Sequence, residues 1–300
     1  MLQRLSVMDT GWPGNVGELV PRVEQLGYHR YWATEHHHPR QSSSPTLIAT
    51  LAAGLTEHIR VGTAGVLLSL YSPVRVVEDF RLLELMFPGR IDLGIASAMP
   101  RTELTSALRA ETTEPSRSSF ADKVAQLDAL NRRRPVEALR LDGSVLGPVS
   151  ESVPPVWVCG TSIRSARLAG QLGLAYAFHH YLHQFHGGRE SGPEVLDAYR
   201  QAFQPCGGWP QPTAVVAAYG QCARGPDQAR ARWAAAVPEG TVIPSFMGEP
   251  AACWDSLCRL ADDHQVEELV LQALSPQLEP SLDALELLAH AAGLEPREES

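Results

Sequence analysis

Short runs rich in β-branched and aromatic residues alternate along the chain with stretches whose apolar positions recur every three or four residues. The first run, Leu5-Ser6-Val7-Met8-Asp9, is followed by Leu19, Val20, Val23 and Leu26 at helical spacing, and Gly27 closes that stretch. A second run covers 31–37. Pro45 then opens a small-residue helix over 46–57, which leads into a run at 59–68, and a helix over 73–86 precedes the run at 91–96. Runs at 156–160, 175–180, 215–219 and 268–272 bring the number of predicted strands to eight. Eight βα units without a Gly-x-Gly-x-x-Gly turn predict a closed (β/α)8 TIM barrel rather than a doubly wound sheet, with residues 1–300 forming a single domain. Polar, Pro/Gly-rich stretches at 98–116, 139–155, 181–193, 204–213 and 237–250 read as loop insertions at the carboxyl-terminal face, some long enough to be lids.

Composition narrows the partners. With 34 acids against 25 bases the net charge is −9, and no basic run exceeds Arg132-Arg133-Arg134. That excludes the basic stripe a nucleic acid needs and the polybasic patch an anionic membrane needs. The amino terminus turns polar at Asp9 before an apolar stretch long enough for a signal peptide, and nothing approaches the roughly 18 apolar residues of a membrane span. The expected location is cytoplasmic. Five cysteines without a Cys-x-x-Cys pair fit reduced thiols.

In a barrel the reactive groups come from the carboxyl ends of the strands. The second run ends in Glu35-His36-His37-His38, and the sixth in His179-His180, with His183 and His186 beyond. A histidine facing a pocket serves as a general base or a metal ligand. Strand alternation aims only some of these side chains inward. Barrel metal sites also recruit carboxylates from several strand ends, and only Glu35 and Asp9 are placed for that, so no metal site is assigned. The stretch Gly160-Thr161-Ser162-Ile163-Arg164-Ser165 opens a helix. Its hydroxyls and free N–H groups suit an anion such as a phosphate, and equally suit a plain N-cap. It is not a nucleophile elbow, since Arg164 stands where the second glycine would, and the chain has no Gly-x-x-x-x-Gly-Lys phosphate loop.

Four segments become specific in combination: Tyr31-Trp32-Ala33-Thr34-Glu35-His36-His37, Arg60-Val61-Gly62-Thr63-Ala64-Gly65-Val66, Ser72-Pro73-Val74-Arg75-Val76-Val77-Glu78-Asp79 and Phe87-Pro88-Gly89-Arg90-Ile91-Asp92-Leu93-Gly94-Ile95. With Val158-Cys159-Gly160-Thr161-Ser162 and Phe246-Met247-Gly248-Glu249-Pro250, the chain resembles the bacterial luciferase-like flavin-dependent monooxygenase family over nearly its whole length. The resemblance implies a TIM barrel that binds reduced FMN, supplied by a separate flavin reductase, and uses O2 to oxidise a small organic substrate such as a biosynthetic intermediate. A sister branch uses the deazaflavin F420 for hydride transfer, and that is the alternative. A metal-dependent hydrolase and a non-catalytic flavin-binding subunit are the remaining readings.

By the same resemblance, His36 matches the family's catalytic histidine, with His37 and Glu35 beside it in the catalytic group. Ala64 and Gly65 match a small pair joined by a non-proline cis peptide beneath the flavin ring. Thr161, Ser162 and Ser165 match the phosphate-holding positions, Cys159 sits in that cofactor-binding segment, and Arg117 resembles an arginine that reaches the phosphate. Two cofactor positions depart from the luciferase branch: Ala96 stands where it has a cysteine, and Ser97 where it has an arginine. His180 stands where luciferase has a tryptophan, so His179 and His180 are expected to give a polar substrate wall unsuited to a long aldehyde. Relatives pair through the helix near 46–57, which predicts a homodimer.

Overall fold

The computed structural model describes residues 2–10, 12–99, 102–109, 118–132, 147–149, 151–185, 190–206, 208–238 and 241–297. Its strands are β1 (Arg4–Asp9), β2 (Arg30–Ala33), β3 (Arg60–Thr63), β4 (Val66–Leu67), β5 (Ile91–Ala96), β6 (Val156–Gly160), β7 (Ala175–His179), β8 (Ala214–Cys222), β9 (Phe246–Gly248) and β10 (Glu268–Ala273). Every pairing is parallel, and the order β1-β2-β3-β5-β6-β7-β8-β10 returns to β1. The sheet is therefore a closed eight-stranded barrel, the (β/α)8 TIM barrel that the strand rhythm predicts.

The helices are α1 (Val16–Gln25), α2 (Pro45–Gly54), α3 (Pro73–Met86), α4 (Thr102–Arg109), α5 (Phe120–Asn131), α6 (Ile163–Gln171), α7 (His180–Phe185), α8 (Gly192–Ala202), α9 (Pro226–Ala236), α10 (Pro250–His264) and α11 (Leu278–Ala291). Helix α4 falls in the stretch 98–116, read as loop, and His180 begins α7 rather than ending the sixth strand. Three further boundaries differ from the sequence reading. The second strand stops at Ala33, so Thr34 to His37 leave the sheet at its carboxyl end. The third run breaks in two: β3 pairs β5 at Val61 and Gly62, and β4 resumes against the same strand at Val66 and Leu67. The stretch 237–250, read as loop, contains β9, which pairs the far end of β8. Helix α9 and the turn after it are thus an insertion over the barrel mouth, and α10 makes the ordinary crossover to β10.

Side chains alternate between two cores because successive strand residues point to opposite faces. Tyr31, Val61, Ile91, Tyr176 and Leu269 pack outward against the helices. Met8, Trp32, Trp157, Ala175, Ala177, Val215 and Val270 fill the barrel interior. The Trp32 and Trp157 rings meet edge to face at 5.4 Å. Gly62 makes room for them, since a Cβ there would lie 2.7 Å from the Trp32 ring. Below the tryptophans the interior is ionic. Arg30 donates to Asp92 at 2.8 Å and to Glu268 at 2.9 Å, Arg60 and Trp157 also donate to Asp92, and Ser6 donates to Glu268 at 2.6 Å. This buried layer plugs the lower end of the barrel and leaves the cavity at the upper end. None of the five cysteines forms a disulfide.

Candidate functional site

The carboxyl ends of the strands enclose a cavity of about 710 Å³, within the usual range for ligand pockets. Its walls include Glu35, His36, Ala64, Gly65, Ala96, Ser97, Cys159, Thr161, Ser162, Ser165 and His179. The sequence reading is corrected for His37 and His180, which do not line it. Arg117 and His186 lie outside the described residues.

Strand parity explains the sorting. Arg30 and Trp32 of β2 point into the barrel, so Thr34 and His36 continue that side while Glu35 and His37 fall on the other. Glu35 has no exposed side-chain surface, and its carboxylate is fully engaged. It accepts from His37 Nε2 at 2.9 Å, from the Tyr71 hydroxyl at 2.6 Å and from the Leu67 backbone N–H at 2.9 Å. Those bonds brace the segment after β3. Lys123 Nζ braces the same turn from below by donating to the carbonyls of Leu68, Ser69 and Tyr71.

His36 is held differently. The Thr34 hydroxyl donates its proton to the Asp9 carbonyl at 3.1 Å, so toward His36 it acts as the acceptor. The 3.1 Å contact to His36 Nδ1 therefore fixes a proton on Nδ1 and leaves Nε2 as an unprotonated base. Burial, followed by the charges of His37 and His38, holds His36 below the ordinary histidine range, which keeps it neutral at pH 7. Sequence reasoning did not single out Thr34, the partner of His36 Nδ1. Its place two residues before His36 on the inward side was the available signal.

The floor is backbone. The Ala64–Gly65 peptide is cis. A Cβ on Gly65 would sit 2.9 Å from the Ile95 carbonyl carbon, so only glycine lets β5 and this turn lie so close. Burial pushes the Cys159 thiol up to about 12, so it presents an uncharged S–H.

At the α6 end both readings of the serines hold together. Ser162 and Ser165 form a capping box, and Ser165 Oγ also lies 2.9 Å from the Tyr176 hydroxyl. The next N–H groups, of Ile163 and Arg164, belong to the first helical turn and lack intrahelical acceptors. His183 of α7 reaches this turn with Nδ1, 2.7 Å from the Thr161 carbonyl. His183 thus positions the loop rather than joining a metal cluster. Among the described residues no group of three His, Cys, Asp or Glu side chains is arranged to hold a metal ion.

His179 and His180 face opposite ways. Ala175 and Ala177 point inward, so His179 does too, and it lines the cavity with 6% exposure. His180 starts α7 and packs outside the barrel, 6.2 Å from the Phe178 ring and 5.3 Å from the His264 ring. The polar substrate wall expected of both therefore rests on His179 alone. Across the mouth, Val237 and Val242 of the α9–β9 insertion cover the cavity with apolar side chains. Past Met8, Thr10 and Leu274 it continues into a second chamber of about 900 Å³ that includes Trp12, Arg40 and Gln272.

Comparison with known proteins gives a family model described as luciferase-like monooxygenase, which matches residues 4–281. The protein YceB of Bacillus subtilis (strain 168) is 33% identical over 71% of this chain and 63% of its own length. The N-acetyl-S-alkylcysteine monooxygenase of the same organism is 33% identical, over 67% of this chain and 61% of its own. A luciferase-like monooxygenase of Escherichia coli (strain K12) is 34% identical, over 66% and 57%. The chain thus matches less than two thirds of the length of these three relatives. Among solved structures, apo-MsnO8 superposes with TM-score 0.85 at 28% identity, covering 98% of this chain and 100% of that one. The FMN complex of the oxygenating constituent of 3,6-diketocamphane monooxygenase from Pseudomonas putida gives TM-score 0.73 at 15% identity, covering 97% and 98%. An F420-dependent secondary alcohol dehydrogenase with an F420-acetone adduct gives 0.68 at 16%, covering 97% and 98%.

Proposed function

The chain belongs to the luciferase-like monooxygenase family, and from that premise we propose that it is a flavin-dependent monooxygenase that oxidises a small organic substrate with O2 and reduced FMN from a separate reductase. The observation that carries the reading is His36, a neutral histidine held as a base by Thr34 in the wall of the cavity that Ala64 and Gly65 also line. The residues suit a flavin. The glycine-permitted floor accepts a flat ring system, and the first turn of α6 offers N–H donors to a phosphate. Ser97, standing where the luciferase branch has an arginine, leaves that phosphate to neutral donors among the described lining residues.

Reduced FMN, when bound, supplies the electrons with which dioxygen is reduced as the substrate is oxidised. In this scheme Ile163 and Arg164 N–H hold the phosphate, and the lid residues Val237 and Val242 exclude water from the ring. His36 Nε2 takes the proton released at the reacting centre. Ala96, Ser97, Cys159, Thr161 and Ser165 complete the cofactor wall. A second copy of the chain is the proposed partner. Leu47 and Leu51 of α2 and Leu82, Leu85 and Met86 of α3 are exposed by 47% to 69%, and Leu47, Leu82 and Met86 line one groove between the two helices.

The test is anaerobic titration of the protein with reduced FMN and, separately, reduced F420, because the same fold carries F420 in a solved neighbour. FMN binding followed by oxygen-dependent substrate oxidation is the expected result. Binding of F420 alone would move the protein to the hydride-transfer branch, and binding of neither would remove the flavin reading.

A further inference from the structure

His179 closes β7 with its ring in the cavity wall, and its Nδ1 is sealed from solvent with no hydrogen-bond partner. No hydrogen bond joins the ring to any described residue. A buried lone N–H is rarer and costlier than a buried lone acceptor. The favoured tautomer therefore leaves Nδ1 bare and puts the proton on Nε2, on the cavity side. His36 is the mirror case, with its proton on Nδ1 toward Thr34 and its lone pair on Nε2. The cavity thus presents one donor and one acceptor from two neutral rings, one in the segment after β2 and one at the end of β7.

We propose, resting on the monooxygenase reading above, that His36 and His179 form a donor–acceptor pair that recognises a hydroxyl group on an otherwise apolar substrate, with His179 setting that preference. A hydroxyl placed between the two rings would satisfy both, donating to His36 Nε2 and accepting from His179 Nε2. A carbonyl or an ether can only accept, which leaves His36 unpaired, and an ammonium can only donate, which leaves His179 unpaired. Among the described residues lining this cavity there is no cation to pair with a carboxylate. Burial first, and the charge of His36 second, drive His179 down to about 4, so neither ring is charged at neutral pH. Met8, Leu67, Val242 and Leu274 supply apolar wall for the rest of the molecule. A site built to hydrogen-bond a hydroxyl rejects an analogue without it, because its buried polar groups are then left unmatched.

The experiment is isothermal titration of the cofactor-free full chain with β-naphthol and with its methyl ether, probes that differ by a methyl group in place of the hydroxyl proton. The wild-type protein is expected to prefer the naphthol by about tenfold, roughly the value of one well-made hydrogen bond. His179→Phe should bring the two probes within about twofold, and His179→Gln, which keeps an N–H, should recover part of the preference. FMN affinity, measured on the same proteins, should stay within about twofold. Equal binding of the two probes by wild type, binding of neither, or a preference that survives in His179→Phe overturns the proposal. Loss of FMN in His179→Phe also overturns it, by making His179 a flavin contact. Wild-type protein that selects the naphthol without binding FMN would instead overturn the flavin reading alone.

Discussion

Thr34 has one hydroxyl proton, and its destination decides what His36 can do. Because that proton goes to the Asp9 carbonyl, His36 must donate from Nδ1 and keep Nε2 as the base. Removing the hydroxyl while keeping the shape, Thr34→Val, frees the ring to adopt the other tautomer. We expect it to lower turnover by about tenfold to a hundredfold, as loss of an orienting partner does at comparable sites. His36→Ala should cost about 10²- to 10⁴-fold, the usual contribution of a general base, with FMN binding changed less than about threefold. Single-turnover kinetics beside a flavin titration check both. If Thr34→Val leaves turnover intact, the tautomer argument fails even when His36→Ala is severe. Glu35→Gln makes a contrast, since its carboxylate accepts two bonds from the Leu67–Tyr71 segment and one from His37. Its expected defect is in folding stability, read by urea denaturation, rather than in the chemical step.

At the scale of the element, a strand's period of two would have sorted the histidines before any coordinates existed. Trp32 cannot face the same way as Glu35, and Ala175 and Ala177 set His179 apart from His180; yet a run such as Ala175-Tyr176-Ala177-Phe178 is apolar on both faces and hides its own parity. The strand rhythm was legible because each strand is bounded by turn residues and a helix of a different period. The break at Ala64–Gly65 was not legible from periodicity, since Val66 and Leu67 continue an apolar run. Only the family resemblance pointed to that pair. β9 was missed because three residues in the short stretch between Pro244 and Pro250 carry too little pattern. At α6, capping and anion binding draw on the same serines and can be separated by experiment. Ser162→Ala should cost about 1 kcal/mol of stability through the lost cap, and should also weaken FMN more than riboflavin. Equal losses for the two flavins would leave the serine a cap and nothing more.

The whole molecule is a barrel with an ionic plug below, a cavity above and an apolar helical face outside. If that face pairs with a second copy, Leu47→Arg together with Leu82→Arg should yield a monomer by sedimentation while the barrel stays folded. A dimer that persists would move the interface elsewhere. The balance of buried groups also sets how the fold responds to acid. His29, His179 and His180 are each driven down to about 4, chiefly by burial, so the folded chain refuses protons that the unfolded chain accepts. As pH falls from about 6.5, the ordinary histidine value, toward 4, the unfolded state gains those protons alone, and stability falls throughout that window. Asp92 does not offset this. Burial raises it, Arg30 and Arg60 more than compensate, and it stays below the usual carboxylate range, so its contribution is lost only at lower pH still. For His179, the most buried of the three, the loss between pH 7 and pH 5 is about 2 kcal/mol. Urea midpoints at the two pH values should therefore differ markedly for wild type and by visibly less for His179→Phe. Comparing the two slopes removes whatever the substitution does to stability at neutral pH. An unchanged slope in the variant would mean that His179 takes up its proton as readily in the folded protein as in the unfolded one, so that burial does not keep the ring neutral at pH 5.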